Sequence, residues 1–337
     1  MFPGAAAQGE WVGSGTSSGG GASTGSATWN VTIDHTANTF SLQNVTAGTN
    51  YQGQISIPLS KFLETLTTSS NDPSVPVNTT GHSIEVPDIL LLAHLNDAPA
   101  GDDEVVPLVN SNGQCPTLPG PTTFNDIRYD FSTGWDSTTN PAYGTVAVTQ
   151  SGSSLTATET PFKLDGTNLG PFAPETVSCS SGIFSGGSGG GGAISPTALI
   201  GLTGKGGNSD HASVLFPAPG SPVSIAAVVA GQYTAMIFRD SPGLVLGGFG
   251  PGAGSMISGG AIANLSTDAL STHATDITIT FGAGPSNGLL TGSVTDVNGV
   301  HSPMVAMVTT VNGKFQILVL TTNMSSTEPY HIFLSQQ

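Results

Sequence analysis

Three Asn-Gly pairs lie in the last quarter of the chain, at Asn287-Gly288, Asn298-Gly299 and Asn312-Gly313. A two-residue β-hairpin loop needs positive φ at both central positions, and Asn-Gly supplies it at low steric cost. The strands that flank these pairs show alternating patterns: before the first pair, Ile277, Ile279 and Phe281 alternate with Thr278 and Thr280. Phe315, Ile317 and Val319 alternate with Gln316 and Leu318 in the same way, which is the period of a strand with one buried face. The pattern predicts four or five sequential antiparallel strands from about residue 275 to the C-terminus.

The rest of the chain favours the same fold class. Charged residues make up 8% of the sequence and glycine contributes 46 of 337 residues, whereas an ordinary domain is about a quarter charged. Frequent Thr, Val and Ile with many Gly and Pro residues indicate sheets joined by turns. Further strands are expected at residues 84–92, 105–109, 127–131, 144–149 and 154–159. The apolar spacing from Leu59 to Leu66 fits a helix and a strand equally well.

Composition divides the chain into four parts. Residues 1–27 are rich in Gly, Ser, Thr and Ala, which predicts a flexible tether. An N-terminal β domain follows at 28–184, and the glycine-rich run at 185–196 is predicted to be a linker or long loop. The C-terminal β-meander domain covers 197–337. We therefore expect an all-β protein with two antiparallel units, each a β-sandwich or barrel-like.

The charge balance excludes two kinds of partner. Six basic residues stand against 22 acidic ones, so the formal net charge is -16. Because nucleic acid is bound through Lys and Arg, and the six basic residues are scattered singly, nucleic acid is excluded as a partner, as is electrostatic docking to an anionic membrane. No run of 18 or more apolar residues occurs, so no transmembrane segment is predicted.

The two cysteines are Cys115 and Cys179. Each lies in a turn-like context, where a small thiol has little packing role, and an even pair in an exported β-rich chain is typical of one disulfide. The alternative is two unrelated buried thiols; we favour the disulfide.

Several stretches resemble a group of uncharacterised exported, lipoprotein-like proteins of soil bacteria, Acidobacteria-like in character. The resemblance lies in "ATWNVTIDHTANTFSL", "TSSNDPSVPV", "IEVPDILLLA", "NPAYGTVAVTQSGSSLTATETPFKLDGTN" and the terminal "PYHIFLSQQ". It implies an extracellular or cell-envelope location and gives no catalytic mechanism, since the shared motifs are structural.

No catalytic constellation emerges from the motifs. G-x-S-x-G occurs at residues 15–19 and 186–190, but both matches lie in low-complexity tracts that cannot build the strand-to-helix turn of a nucleophile elbow. A secreted hydrolase with paired carboxylates is the least favoured possibility, and the pair cannot be named from the sequence. We name no catalytic residue and no cofactor.

Two groups of candidate binding residues remain. Four acidic residues cluster in one segment, and a loop of this type can offer oxygens to Ca²⁺; they are Asp97, Asp102, Asp103 and Glu104. The alternative is a solvated acidic turn, which we favour. Four aromatic residues are candidates for a ligand-binding platform: Trp29, Trp135, Tyr129 and Tyr143.

These observations leave three functions. The first is a non-catalytic structural or adhesive β protein of the cell surface, whose partners are other copies of itself or surface glycans. The second is a carbohydrate- or ligand-binding module, and the third is the hydrolase. An unpaired strand edge would favour the first, an exposed binding platform the second, and a cleft with facing carboxylates the third.

Overall fold

The computed structural model describes residues 10–19, 27–44, 47–59, 62–73, 75–86, 89–95, 104–109, 114–115, 117–130, 140–185, 191–195, 200–206, 209–239, 245–264, 269–270, 277–296, 298–322 and 329–337. The all-β fold class is confirmed: 25 strands and one short helix make up the regular structure of these residues. Among them no helix is long and apolar enough to cross a membrane.

The first eight strands form a closed antiparallel barrel in which β8 pairs with β1. Their bounds are β1 Glu10–Gly19, β2 Ala27–Asp34, β3 Thr39–Asn44, β4 Thr49–Leu59, β5 Phe62–Ser70, β6 Thr80–Val86, β7 Ile89–Leu95 and β8 Glu104–Val109. Residues 10–19 were expected to belong to a flexible tether. They form a strand instead, because they pair with β2 and β8 and so complete the ring. The segment that fitted both helix and strand is strand on either side of residues 60–61.

Alternation decides what fills the first barrel. In β3 every second residue is buried and the others are exposed. The interior is an apolar cluster contributed by β2 to β5 and the following loop: Val31, Ile33, Phe40, Leu42, Tyr51, Ile55, Leu63 and Val75. The intervening side chains of these strands therefore lie on the outer surface of the barrel.

The second closed barrel contains the next eight strands, with β16 pairing with β9. Their bounds are β9 Thr122–Asp130, β10 Tyr143–Ser151, β11 Ser154–Phe162, β12 Glu175–Ser180, β13 Ile183–Ser185, β14 Gly191–Ile194, β15 Ile200–Gly206 and β16 Ser209–Pro217. The predicted linker at 185–196 does not coincide with a break between sheets, because β14 pairs with both β13 and β15. The glycine-rich residues 191–194 form a short strand, which is held by its pairing with β13 and β15.

The remaining strands form a nine-stranded sheet that closes on itself through pairing of β18 with β19. Their bounds are β17 Tyr233–Arg239, β18 Val245–Phe249, β19 Met256–Asn264, β20 Ala269–Leu270, β21 Ile277–Ala283, β22 Leu289–Thr295, β23 His301–Val311, β24 Lys314–Thr322 and β25 Pro329–Gln336. Glycines line the seam: a Cβ on Gly259 would lie 2.1 Å from the carbonyl oxygen of Gly248. The described strands thus form three sheets, each of which closes into a ring.

The helix α1, at Ile225–Val229, packs into the third ring. Ser224 caps it by accepting a hydrogen bond from the Ala227 amide. The buried hydroxyl of Tyr233 donates to the carbonyl oxygen of Val228 at 2.6 Å, and burial raises the pKa of this tyrosine. The helix thereby contributes Val228 and Val229 to the apolar interior of the ring.

The second and third rings share one continuous core. Outward side chains of β23 to β25 pack against Ile127, Tyr143, Val214 and Phe216 of the second barrel. Strand β24 is therefore buried on both faces, with Ile317 and Leu318 both fully buried. The expectation of one buried face in this strand was wrong, because the second barrel covers the face that carries Gln316 and Leu318.

The predicted meander is confirmed, since β21 to β25 pair in sequence. Asn312-Gly313 has positive φ at both positions, 50° and 75°, as a two-residue hairpin loop requires. At Asn287-Gly288 only the glycine has positive φ. The turn around Gly288 contacts the second ring, because the side-chain amide of Asn125 on β9 donates to the Asn287 carbonyl oxygen at 2.7 Å.

Candidate functional site

The outer surface of β2 to β5 is the best candidate for a binding surface. Adjacent outward residues are placed side by side by the strand register: Thr32 is opposite Ser41, and Ser41 is opposite Gln52. Thr39 is opposite Gln54 in the neighbouring row. A groove lies at the centre of this surface. The six polar residues that line it are called the polar face: Thr32, Thr39, Ser41, Gln52, Gln54 and Thr68.

The polar face surrounds a shallow groove of about 360 Å³, which Phe40 and Gly53 also border. Gly53 is required at this point because a Cβ there would lie 1.9 Å from the carbonyl oxygen of Leu66. The pairing of β4 with β5 shifts between Gln52 and Gly53, which leaves Thr68 as an extra residue on β5. The bulge directs Thr68 into the groove, in agreement with the tendency of bulges to re-aim a side chain at functional positions.

Side-chain amides distinguish this surface from the outer surface of β10 and β11 in the second barrel. Asn30, Gln43 and Asn50 extend the amide set beside the polar face, and Asn30 donates to Gln43 at 3.4 Å. Across the part of the chain that the structure describes, the amide groups of Gln52 and Gln54 have no protein partner, and both residues are exposed. By comparison, the outer positions of β10 and β11 carry mostly threonine. Each free amide offers both donors and an acceptor to a ligand.

Charge is nearly absent from the same surface. The described residues of β2 to β5 include only two charged side chains, Asp34 and Glu64. Asp34 is occupied by its own turn, since Oδ1 accepts from the amides of Thr36 and Ala37 at 2.8 and 2.9 Å. Glu64 accepts from the Ser56 hydroxyl at 3.4 Å. The described residues of this surface therefore present mainly neutral hydrogen-bonding groups and no cation that would attract an anionic ligand.

A second polar cluster lies inside the second barrel. Asp126 and Arg128 are two apart on β9, so they lie on one face of the strand, and Glu159 reaches them from β11. Arg128 donates from Nη2 to both carboxylate oxygens of Glu159, and its Nε lies 3.6 Å from Oδ2 of Asp126. Gly144 leaves room for this arrangement, because a Cβ there would lie 3.3 Å from Oε1 of Glu159.

Burial changes the ionisation of this cluster and of a neighbouring histidine. Burial, reinforced by Glu159 and opposed by Arg128 and a hydrogen bond from Ser213, raises the pKa of Asp126 to about 7. His331 of β25 contacts the carbonyl oxygen of Arg128 through Nε2 at 3.0 Å. Burial lowers the pKa of His331 to about 4. The imidazole is thus neutral at pH 7 and donates its Nε2 proton to that carbonyl.

The cluster does not resemble the carboxylate pair of a glycoside hydrolase. Such a pair flanks a bond of the substrate, with space between the carboxyl groups. Here Arg128 lies between Asp126 and Glu159 and is bound by both. The arrangement is that of a buried ion-pair network that holds β9 to β11.

The residues proposed from sequence alone do not converge on one site. Tyr143 is buried and stacks on Phe162, with ring centroids 5.2 Å apart, so it belongs to the core and not to an exposed platform. Trp29 lies on β2 and Tyr129 on β9, but their side chains lie outside the described structure, as does Trp135.

The acidic segment is also largely outside the described residues, which include none of Asp97, Asp102 and Asp103. Glu104 opens β8, with a side chain that is not described. Among the described residues no three His, Cys, Asp or Glu side chains are grouped as metal ligands. The calcium hypothesis stays a prediction.

The disulfide is confirmed. Cys115 and Cys179 are bonded, with Cα atoms 6.1 Å apart. The bond joins the segment before β9 to β12, and Cys115 Sγ also accepts from the Gly182 amide at 3.3 Å. Cys179 packs with Leu118 and Phe184 in the interior of the second barrel.

Sequence reasoning missed both the polar face and the ionic cluster. The signal for the first was the alternation of Asn50, Gln52 and Gln54 with Tyr51, Gly53 and Ile55. The signal for the second was the i, i+2 spacing of Asp126 and Arg128.

Comparison with known proteins yields only loose similarities. No protein-family model matches the chain, and no curated protein matches it. Two solved structures of transferrin binding protein B are similar to 92% of the chain. The one from Neisseria meningitidis serogroup B has a TM-score of 0.31 at 12% identity. The other, a double mutant from Haemophilus parasuis, has a TM-score of 0.24 at 8% identity. The chain spans 65% of the length of each.

Proposed function

We propose that this chain is a non-catalytic ligand-binding β protein of the cell surface or extracellular space, and that it binds through the polar face. The observation that carries the proposal is the pair of exposed amides on Gln52 and Gln54, which have no partner among the described residues. An extracellular location is supported by the disulfide between Cys115 and Cys179, since such bonds persist in oxidising compartments.

Binding is favoured over assembly into a strand-paired structural polymer. Polymerisation by strand addition needs a long unpaired edge. Each of the three described sheets closes into a ring, and the extra strand at an edge, β20, has two residues. The side chains on the outside of a closed ring can still bind a ligand. Adhesion to another cell or material would use the same outward side chains.

Binding is also favoured over hydrolysis. The carboxylates of Asp126 and Glu159, which the fold brings together, both interact with Arg128. The exposed groove of the polar face is lined by hydroxyl, amide, aromatic and backbone groups, with no carboxylate or histidine.

Retention on immobilised surfaces tests this function. Purified full chain is passed over beads that carry neutral polysaccharides, acidic polysaccharides or extracellular proteins. We expect at least one surface to retain the wild-type protein. The same surface should not retain the variant in which Gln52→Glu and Gln54→Glu are combined. Gln232→Glu is the matched control, because Gln232 is an exposed glutamine preceding β17, far along the chain from the polar face. Equal retention of wild type and the double variant on every surface would contradict the proposal.

A further inference from the structure

We infer that the ligand of the polar face is a neutral, hydroxyl-rich polysaccharide chain that lies across β2 to β5. The inference rests on the proposed binding function and adds the chemical class and direction of the ligand. It starts from the row of residues that the strand register aligns from Thr32 through Ser41 to Gln52. Thr68, on the bulge of β5, continues this row.

The row has the dimensions of an extended polymer site. Neighbouring strands are about 4.8 Å apart, so a row across four strands spans about 14 Å. Hydroxyl and amide groups recur at each strand along this length, and Thr39 and Gln54 form a second row beside the first. A chain of sugar rings offers hydroxyl donors and acceptors at intervals along its length, which matches a repeated set of groups that both donate and accept.

The charge of the surface selects against acidic ligands. Among the described residues of β2 to β5 the two charged groups are Asp34 and Glu64, both acidic, and the whole chain carries a net charge of -16. Recognition of a carboxylate, sulfate or phosphate group would be expected to use Arg or Lys. A neutral polysaccharide is not repelled by these acidic groups, and it needs no cationic partner on the protein.

The shape of the surface selects against peptide ligands. A peptide that adds as a strand needs an open sheet edge, and an amphipathic helix needs an apolar groove. The first barrel is closed, and six of the eight residues around the groove carry hydroxyl or amide side chains. The exceptions are Phe40, which is 3% exposed, and Gly53.

The same features predict weak binding by a single site. Phe40 is buried, so no described aromatic ring on the polar face offers the large stacking area that tight sugar sites use. We therefore expect a dissociation constant on the order of 1 mM for a short oligosaccharide. Removing one amide should weaken binding about fivefold, which corresponds to the loss of one hydrogen bond of about 1 kcal/mol.

The experiment uses soluble polysaccharides as probes. Migration of the full chain is measured in native gels that contain amylose, mannan or xylan as neutral polymers, and alginate or polygalacturonate as acidic ones. We expect at least one neutral polymer to retard wild type. Gln52→Ala and Gln54→Ala should each weaken the affinity obtained from this retardation about fivefold. Gln232→Ala should leave the affinity unchanged. Circular dichroism of each variant, with the wild-type spectrum as reference, verifies that the barrel is intact.

The outcomes separate the inference from the function on which it rests. If only acidic polymers or immobilised proteins retain the chain, and the Gln52 and Gln54 variants abolish that retention, the polar face binds a ligand but the inference is overturned. If a neutral polymer retards wild type and both polar-face variants equally, the inference is overturned and the binding surface lies elsewhere. If no tested surface retains the chain, the proposed function and the inference fail together.

Discussion

The disulfide between Cys115 and Cys179 closes a loop of 64 residues that contains β9 to β11 and part of β12. Replacing both cysteines with alanine frees that loop in the unfolded chain. Because a cross-link restricts the conformations of the unfolded chain, closing a loop of this length contributes about 4 kcal/mol at 25 °C. Part of the effect comes from the folded state, because Cys179 packs with Leu118 and Phe184 in the barrel interior. Because the lost cross-link and the lost packing of Cys179 add together, the free energy of unfolding of the double variant should be at least about 4 kcal/mol lower than that of wild type.

Urea titration of the wild type, the double variant and reduced wild type provides the measurement. Each unfolding curve is followed by the near-ultraviolet signal of the tyrosines and tryptophans, and the free energies are extrapolated to water. Reduced wild type is the control, because it loses the cross-link without losing either side chain. A difference between oxidised and reduced wild type of less than about 1 kcal/mol would refute the loop-closure reasoning.

Three further predictions concern the pH dependence, the last hairpin and the shared core. Burial raises the pKa of Asp126 to about 7 from 3.8, so the folded state holds a proton that the unfolded chain has lost, and this residue lowers stability as pH rises from about 4 to 7. Burial lowers the pKa of His331 to about 4 from 6.5, so this residue raises stability as pH rises from about 4 to 6.5. Urea titrations at several pH values should therefore show a more positive slope of stability with pH in Asp126→Asn and a less positive slope in His331→Gln; unchanged slopes would contradict the assignment. Gly313→Ala places a Cβ at a φ of 75° and should destabilise the protein by about 1 kcal/mol, whereas Gly220→Ala, at an exposed position with open space around it, should change the unfolding midpoint little. Hydrogen exchange of β23 and β24 should be the slowest in the chain because both strands have two partners and largely buried faces; exchange as fast as that of β14 would argue against the shared core.

Local sequence signals predicted the hairpins because the relevant physics is local. Alternation and turn chemistry act within a few residues, so Asn312-Gly313 and the strands on either side of it could be placed without tertiary information. The burial of Leu318 could not, since the covering face comes from Val214 and Phe216, about 100 residues earlier. An almost continuous apolar run in β24 was the available hint of a strand that is buried on both faces.

The division of the chain into rings was harder to predict from composition. Residues 10–19 and 191–194 are rich in Gly, Ser and other small residues that suggest flexibility in isolation. In the fold they become strands because neighbouring strands on both sides satisfy their backbone groups. Ring closure is a long-range property, and no local pattern in either segment predicts it.

The candidate site depends on the same long-range arrangement. The sequence shows polar residues at every second position of β4, which predicts an exposed strand face. Their alignment with Thr32 and Ser41 follows from pairing across three strands. That the side chains of Gln52 and Gln54 have no partner among the described residues is evident only in the folded chain.

The central claim, that the polar face binds a neutral sugar chain, is tested most directly by the side-chain amide signals of glutamine. The full chain is labelled with ¹⁵N at glutamine, and the signals of Gln52, Gln54 and Gln232 are assigned from their alanine variants. Malto-, manno- and xylo-oligosaccharides are then titrated separately. Binding at the polar face predicts that at least one neutral oligosaccharide shifts the Gln52 and Gln54 signals in a saturable manner and leaves Gln232 unchanged. Saturable shifts at Gln232 without shifts at Gln52 and Gln54, or no shift from any of the three sugars, would contradict it.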